Sequence, residues 1–216
     1  MEEVKKVSIK RRKSADIRKD NLQLILSVAE QRFAEYGYNG TTISSIADQA
    51  NLPKSNILYY FKTKEVLYQE VLSQILKIWM VDMEEMSADQ HPREALRHYI
   101  LLKIKQSRDH ANASRIFASE LLHGAPFLRE KLQTDLKVQF IKTCQVFREW
   151  IAKQWMNPIS PEHLLFMIWS STQAYADYGL QSSILMGKTE LEDSDFETGA
   201  DLLTHLVLRG CGIKLL

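Results

Sequence analysis

Between Thr41 and Lys64 the sequence reads TTISSIADQANLPKSNILYYFKTK, and no other stretch constrains the fold as tightly. Ile43, Ile46, Ala47 and Ala50 recur at i, i+3, i+4 and i+7, which is one apolar stripe of an α-helix. Thr41 or Thr42, just ahead of that stripe, supplies a hydroxyl that can accept an orphan backbone N–H as N-cap. Asn51 follows it, and Asn is one of the few residues other than Gly that tolerates the left-handed conformation ending a helix. Pro53 suits the first turn of a second helix, where a missing N–H costs nothing. That helix is expected from Lys54 to about Tyr60, with Ile57, Leu58 and Phe61 packing back on the first. Ser55, Asn56 and Tyr59 then lie on the opposite, polar side. A propping helix followed by one whose polar face is free is the layout of a helix-turn-helix. The same spacing also describes an ordinary αα-hairpin with a solvated face.

The remainder reads as helix as well. Leu22, Ile25, Leu26, Ala29 and Phe33 form a stripe between Arg18 and Tyr36, ended by Gly37, so three helices make up a head. A fourth helix starts near Thr63, a capping candidate, and continues through Val66, Leu67, Val71, Leu72, Ile75, Ile78 and Trp79. Further helices are expected over about 93–110, 113–122, 127–155 and 162–182, with a last one ending near Arg209. His123-Gly124-Ala125-Pro126 and Asn157-Pro158-Ile159-Ser160-Pro161 are breaks. With eight Gly, five Pro and hardly any alternating pattern in 216 residues, the expected fold is all-α. The longest unbroken apolar run, Leu164 to Trp169, is far short of a membrane span. The charged N-terminus has no apolar segment of a signal peptide. Cys144 and Cys211 sit in no metal or redox spacing, so the expectation is reduced thiols in a cytoplasmic protein.

The net charge of +1 conceals an asymmetry. Residues 1–64 carry 12 Lys/Arg against 7 Asp/Glu, whereas residues 65–216 carry 16 against 20. A basic head on an acidic body suits a protein whose head alone meets phosphates. Residues 1–17, with Lys10, Arg11, Arg12 and Lys13, read as a basic arm, disordered in the free protein. Such an arm is either a solvated tail or one that follows a DNA backbone or enters the minor groove. The expected domains are this arm, a head over 18–64 and a helical body over 65–216.

No catalytic or cofactor constellation emerges. The six His residues show no H-x-x-x-H or H-E-x-x-H spacing, and no GxSxG, P-loop or GxGxxG occurs. An enzyme is therefore not expected. In the body the informative stretch is His163 to Asp177, HLLFMIWSSTQAYAD. Trp169 and Gln173 are i and i+4 and share a helix face, with Asp177 one turn on. A buried amide or carboxylate needs partners. The reading is open between a ligand contact and an interhelix hydrogen bond, or an ion pair of Asp177 with an Arg such as Arg115.

The order TTISSIADQA-NLPKSNILYYF-KTKEVL resembles the DNA-binding head of the TetR family of bacterial transcriptional regulators. The most specific part is Tyr59, Tyr60, Phe61, Lys64, Glu65 and Leu67. Asn51 stands where the family usually has Gly, and Leu58 where it often has a DNA-contacting Tyr. The resemblance implies a homodimer that binds a palindromic operator in double-stranded DNA and responds to a small ligand, dimerising through its last two helices. Repression is the commoner mode in the family, with activation or a different effector as the alternative. Phosphate contacts are expected from Lys54, Lys62 and Lys64 and base contacts from Asn56 and Tyr59, with Thr42, Ser55 and Tyr60 beside them. ILYYFKTKEVLYQEVLSQILKIW, SRIFASELLHGAPFL and FMIWSSTQAYADY are similar to the pyrimidine-utilisation branch of the family, which senses uracil or thymine. By position this likeness assigns Trp79, Trp169 and Gln173 to the effector site. Indole faces suit a flat ring, and a side-chain amide offers one donor and one acceptor to its carbonyl and N–H edge.

Overall fold

Helices and short turns account for the computed structural model, described for residues 2–214 at the backbone and 17–214 at the side chains, and no strand occurs among them. The expectation of a disordered basic arm over 1–17 falls almost wholly on side chains outside the described residues. The chain divides into two compact units, Met1–Leu72 and Ser73–Leu216, and the division falls inside one helix.

In the first unit, α1 (Glu2–Gly40) is broken at Gly37, whose φ of 68° and ψ of 177° belong to glycine alone. Thr41, fully buried, closes this break: its hydroxyl lies 3.0 Å from the carbonyl of Arg32 and 2.8 Å from that of Gly37. Helix α2 (Ile43–Ala50) starts with a capping box, in which Thr42 Oγ1 accepts from Ser45 N at 3.0 Å and Ser45 Oγ from Thr42 N at 3.2 Å. Asn51 ends it at φ 52°, ψ 42°, in the left-handed conformation expected from the sequence. Helix α3 is Lys54–Phe61. Ile25, Ala29 and Phe33 of α1, Ile46, Ala47 and Ala50 of α2, and Ile57 and Phe61 of α3 make one buried core. Each fully buried large apolar side chain of this kind contributes about 1.5–3 kcal/mol.

Two details differ from expectation. Pro53 is the N-cap of α3, extended at ψ 139°, rather than its first helical residue. Leu58 is 38% exposed rather than buried against α2. An eight-residue helix buries one narrow stripe, here Ile57 and Phe61. Position 58 lies about 100° around from position 57, on the open side.

The second unit takes over within α4 (Lys64–Glu84), which Thr63 caps through its hydroxyl at 3.2 Å from Val66 N. There follow α5 (Pro92–Asp109), α6 (Ala111–Leu122), α7 (Arg129–Lys131), a π-helical turn (Leu132–Leu136), α8 (Lys137–Ala152), α9 (Pro161–Asp177), α10 (Gly179–Leu185) and α11 (Asp193–Gly210). Pro92 and Pro161 each occupy a first turn, preceded by His91 and Ser160 as capping side chains. The core is built from Tyr99 and Ile100 of α5, Phe147 and Trp150 of α8, Leu165 and Ile168 of α9, and Val207 and Leu208 of α11.

The helix expected over 127–155 is thus interrupted by the π-turn. The one expected over 162–182 ends at Asp177, where Tyr178 leaves helical geometry at φ −115°, ψ 20°. Asp177 accepts a 2.7 Å hydrogen bond from Ser114 of α6, so its partner is a hydroxyl rather than the Arg115 guanidinium. Cys144 and Cys211 are free and buried, and burial pushes both thiols up to about 11. Among the described residues no helix is long and apolar enough to cross a membrane.

Candidate DNA-binding surface and ligand cavity

On the head, α3 turns Lys54, Ser55, Leu58 and Tyr59 outward, with Tyr59 71% exposed. Asn56 and Tyr60 are half-buried at the edges of this face. Tyr60 is steadied by an edge-on contact with Tyr59, 5.3 Å between ring centres, and its hydroxyl reaches the carbonyl of Arg18 at 3.4 Å. Lys62 is exposed and ends α3 with a positive φ of 57°. Thr42 is exposed at the start of α2, its hydroxyl engaged in the capping box.

Lys64 is placed differently from its expected free attitude. Its ammonium donates to the carbonyls of Tyr38 (2.8 Å) and Thr41 (3.0 Å) and lies 4.2 Å over the Tyr38 ring. It therefore ties the turn after Gly37 to the start of α4, and one of its three N–H groups is left over. Of the other expected contacts, Thr42 and Tyr60 engage their hydroxyls within the head, while Lys54, Ser55, Tyr59 and Lys62 are exposed.

In the body, Trp79, Trp169 and Gln173 line a single cavity of about 340 Å³. Helix α4 contributes Trp79 and Met83, α5 Tyr99 and Lys103, α6 Phe117 and Leu121, the π-turn Leu132 and Leu136, and α9 Trp169 and Gln173. Trp79 is held edge-on against Phe117, 4.4 Å between centres. Trp169 packs with Phe140 and Phe166, and its indole N–H donates to the Tyr99 hydroxyl at 2.6 Å. Among the described residues the Gln173 amide has no hydrogen-bond partner, so the interhelix hydrogen bond open to it in the sequence is not made. The π-turn widens the helix by one residue per turn and leaves Leu132 and Leu136 half-buried at the cavity wall.

Sequence reasoning found three of the lining residues, and among those it missed Tyr99 and Lys103 are the polar ones. Tyr99 is 1% exposed and fixes the Trp169 indole; burial pushes its phenol well above the usual range. Lys103 is 4% exposed, with its ammonium 5.0 Å over the Trp79 ring and donating to Gln106 Oε1 at 3.2 Å. Gln106 in turn donates to Asp82 Oδ2 at 2.5 Å. Burial lowers Lys103 to about 8, against the pull of the Asp82 charge, and raises Asp82, against the pull of Lys103. Both shifts run toward the neutral forms, so desolvation outweighs their mutual attraction at this site. A lysine within LLKIKQSRD carries no sequence mark of burial, since the type is almost always solvated.

A three-helix head with an exposed polar helix, and a helical body with a small half-open cavity, is the layout of a DNA-binding regulator. The chain belongs to the TetR family of bacterial transcriptional regulators: residues 25–71 match bacterial regulatory proteins of the tetR family, and residues 72–214 match the C-terminal region of YcdC-like proteins. Members are DNA-binding regulators rather than enzymes, and they bind operator DNA, typically as homodimers with small-molecule effectors. The HTH-type transcriptional regulator RutR of Escherichia coli is 39% identical over 186 residues, covering 86% of this chain and 88% of that protein. Among solved structures, a tetR-family regulatory protein from Rhodococcus superposes with a TM-score of 0.71 at 18% identity, over 90% of this chain and 98% of the other. The TetR-family regulator PfmR of Thermus thermophilus gives 0.70 at 17%, over 86% and 97%. At these identities the two structures speak to the fold alone.

Proposed function

We propose that this regulator is a cytoplasmic homodimeric repressor of pyrimidine catabolism, released from its palindromic operator by uracil or thymine. The observation that carries this reading is the meeting of Trp79, Trp169 and Gln173 in one cavity, with the Gln173 amide unpaired. A volume of about 340 Å³ lies at the small end of ligand sites and suits a single ring. Two indoles offer flat faces to that ring, and the amide offers a donor and an acceptor to its edge.

On the head, Asn56 and Tyr59 are the base contacts, Lys54 and Lys62 the phosphate contacts, and Thr42, Ser55 and Tyr60 border them. Lys64 adds a phosphate contact through its remaining N–H. Release requires that the ligand favour a conformation in which two heads no longer match the half-site spacing. Helix α4 carries Lys64 at one end and Trp79 toward the other, which makes it the natural carrier of that change. Titration calorimetry with uracil and thymine tests the reading. Saturable heat is expected from both or one, weakened about 5–150-fold in Gln173→Ala, the equivalent of 1–3 kcal/mol. No heat from either base refutes the pyrimidine effector and leaves the family assignment intact.

A further inference from the structure

Lys103 is the one charged side chain lining the Trp79–Trp169 cavity, and it is almost completely buried there. An ammonium has three donors and no acceptor. The structure gives this one a single hydrogen bond, to Gln106, while its charge sits over the indole of Trp79. Among the described residues two of its N–H groups therefore have no partner, and the side chain lines the cavity beside Trp79. Gln173, from α9, lines the same space. A buried donor left unpaired is costly, so a site of this kind favours ligands that bring an acceptor to it.

Resting on the pyrimidine reading above, we propose that Lys103 is an effector-recognition residue that donates to a carbonyl oxygen of the bound base. Gln173 reads the neighbouring N–H and second carbonyl. The site then presents donor, acceptor, donor to the acceptor, donor, acceptor edge of uracil or thymine. Lys103 is the charged member, and its contact is the stronger for being desolvated.

The arrangement makes binding depend on pH. Asp82 of α4, reached through Gln106, is the acidic group whose charge acts on Lys103, and Glu85 and His98 act in turn on Asp82. Tyr99 of α5 is the other titratable residue lining the cavity and stays protonated, while the lining residues from α6, the π-turn and α9 do not titrate. Lys103 loses its proton as pH rises through about 8, so the free protein holds it fully well below that pH and progressively less above it. A ligand that requires the ammonium takes up a fraction of a proton on binding that grows as pH rises through this region and vanishes at low pH.

The test is calorimetric titration of the full chain with uracil, 2-thiouracil and 4-thiouracil, on wild type, Lys103→Met and Asp82→Asn. Sulfur is the poorer acceptor, so wild type should bind at least one thio isomer about 10–100-fold more weakly than uracil, and the isomer whose penalty disappears in Lys103→Met identifies the oxygen Lys103 meets. Lys103→Met should lose about 10–100-fold for uracil and lose the discrimination at that oxygen. Asp82→Asn should move the fall in affinity to lower pH, a shift a purely structural role would not cause. Proton uptake that grows as pH rises through about 8 in wild type and is absent from Lys103→Met, read from buffers of different ionisation enthalpy, supports the proposal. Uracil bound equally by wild type and a folded Lys103→Met overturns it, as does wild type that takes up no proton and treats both thio isomers as uracil. No binding of uracil by wild type overturns this inference together with the reading beneath it.

Discussion

Replacing Tyr99 by Phe isolates one atom of the cavity wall. The hydroxyl accepts the Trp169 indole N–H at 2.6 Å inside a core where Tyr99 is 1% exposed. Removing it leaves that N–H without its partner and keeps the ring volume. A half-buried donor stranded in this way costs about 1–3 kcal/mol. For a chain of this length each kcal/mol shifts Tm by roughly 2–4 °C, so the melting point should fall by about 2–12 °C. The ligand effect is separate. An indole no longer pinned samples other rotamers, and part of the stacking on Trp169 is lost, so effector affinity should fall by about 5–30-fold for 1–2 kcal/mol. Operator affinity of the ligand-free protein should not change, because Tyr99 lies in the body. Differential scanning calorimetry, ligand titration and a gel shift on one preparation give all three numbers. An unchanged melting point would refute the assigned energetic role of this hydrogen bond. A lowered melting point with unchanged ligand affinity would refute Trp169 as a ligand contact.

Three further outcomes follow from single residues. Gly37→Ala meets open space but forces a side chain into φ 68°, ψ 177°, and should destabilise the head by about 1–3 kcal/mol and reduce operator binding, measured by urea melts and gel shift. Lys64→Met, which keeps the stem, should cost about 1–2 kcal/mol through the lost Tyr38 and Thr41 bonds. It should also lower the salt slope of operator binding by about one; an unchanged slope would limit Lys64 to bracing the turn. Gly199→Ala would bring a methyl against the ring end of Tyr175 between α11 and α9, so Tyr175 must shift and the melting point should fall, measured by differential scanning calorimetry; an unchanged melting point would show that the ring yields at no cost.

Where local chemistry sets the structure, the sequence was legible. Helix α2 begins and ends where Thr42 and Asn51 place it, because a capping hydroxyl and a left-handed Asn act within a few residues. The aromatic and amide residues Trp79, Trp169 and Gln173 were also legible, through their likeness to a family motif, and the fold brings them to one cavity. What escaped depends on the third dimension. Leu58 satisfied an apolar pattern but lies off the narrow stripe that a two-turn helix buries. The π-turn at Leu132–Leu136 changes no residue type, only the hydrogen-bond register, so no pattern marks it. The break at Tyr178, ahead of Gly179, falls inside a run read as one helix over 162–182. The sequence marks Lys64 only as a DNA contact and gives Lys103 no role, whereas Lys64 bonds two carbonyls of the head and Lys103 is buried with its ammonium over the Trp79 ring. The Tyr38 and Thr41 carbonyls and the Trp79 ring lie at least 23 residues away along the chain, beyond the reach of local periodicity.

The central claim is that the base and the operator compete through two conformations of one protein. The direct measurement is a closed cycle: operator affinity with and without saturating uracil or thymine, and base affinity with and without saturating operator. Linkage requires the two ratios to be equal, and a coupling of about 1–3 kcal/mol, or 5–150-fold, is the usual size. The account predicts weakening of both by the same factor. Operator affinity that is indifferent to a base bound in the Trp79–Trp169 cavity would contradict it.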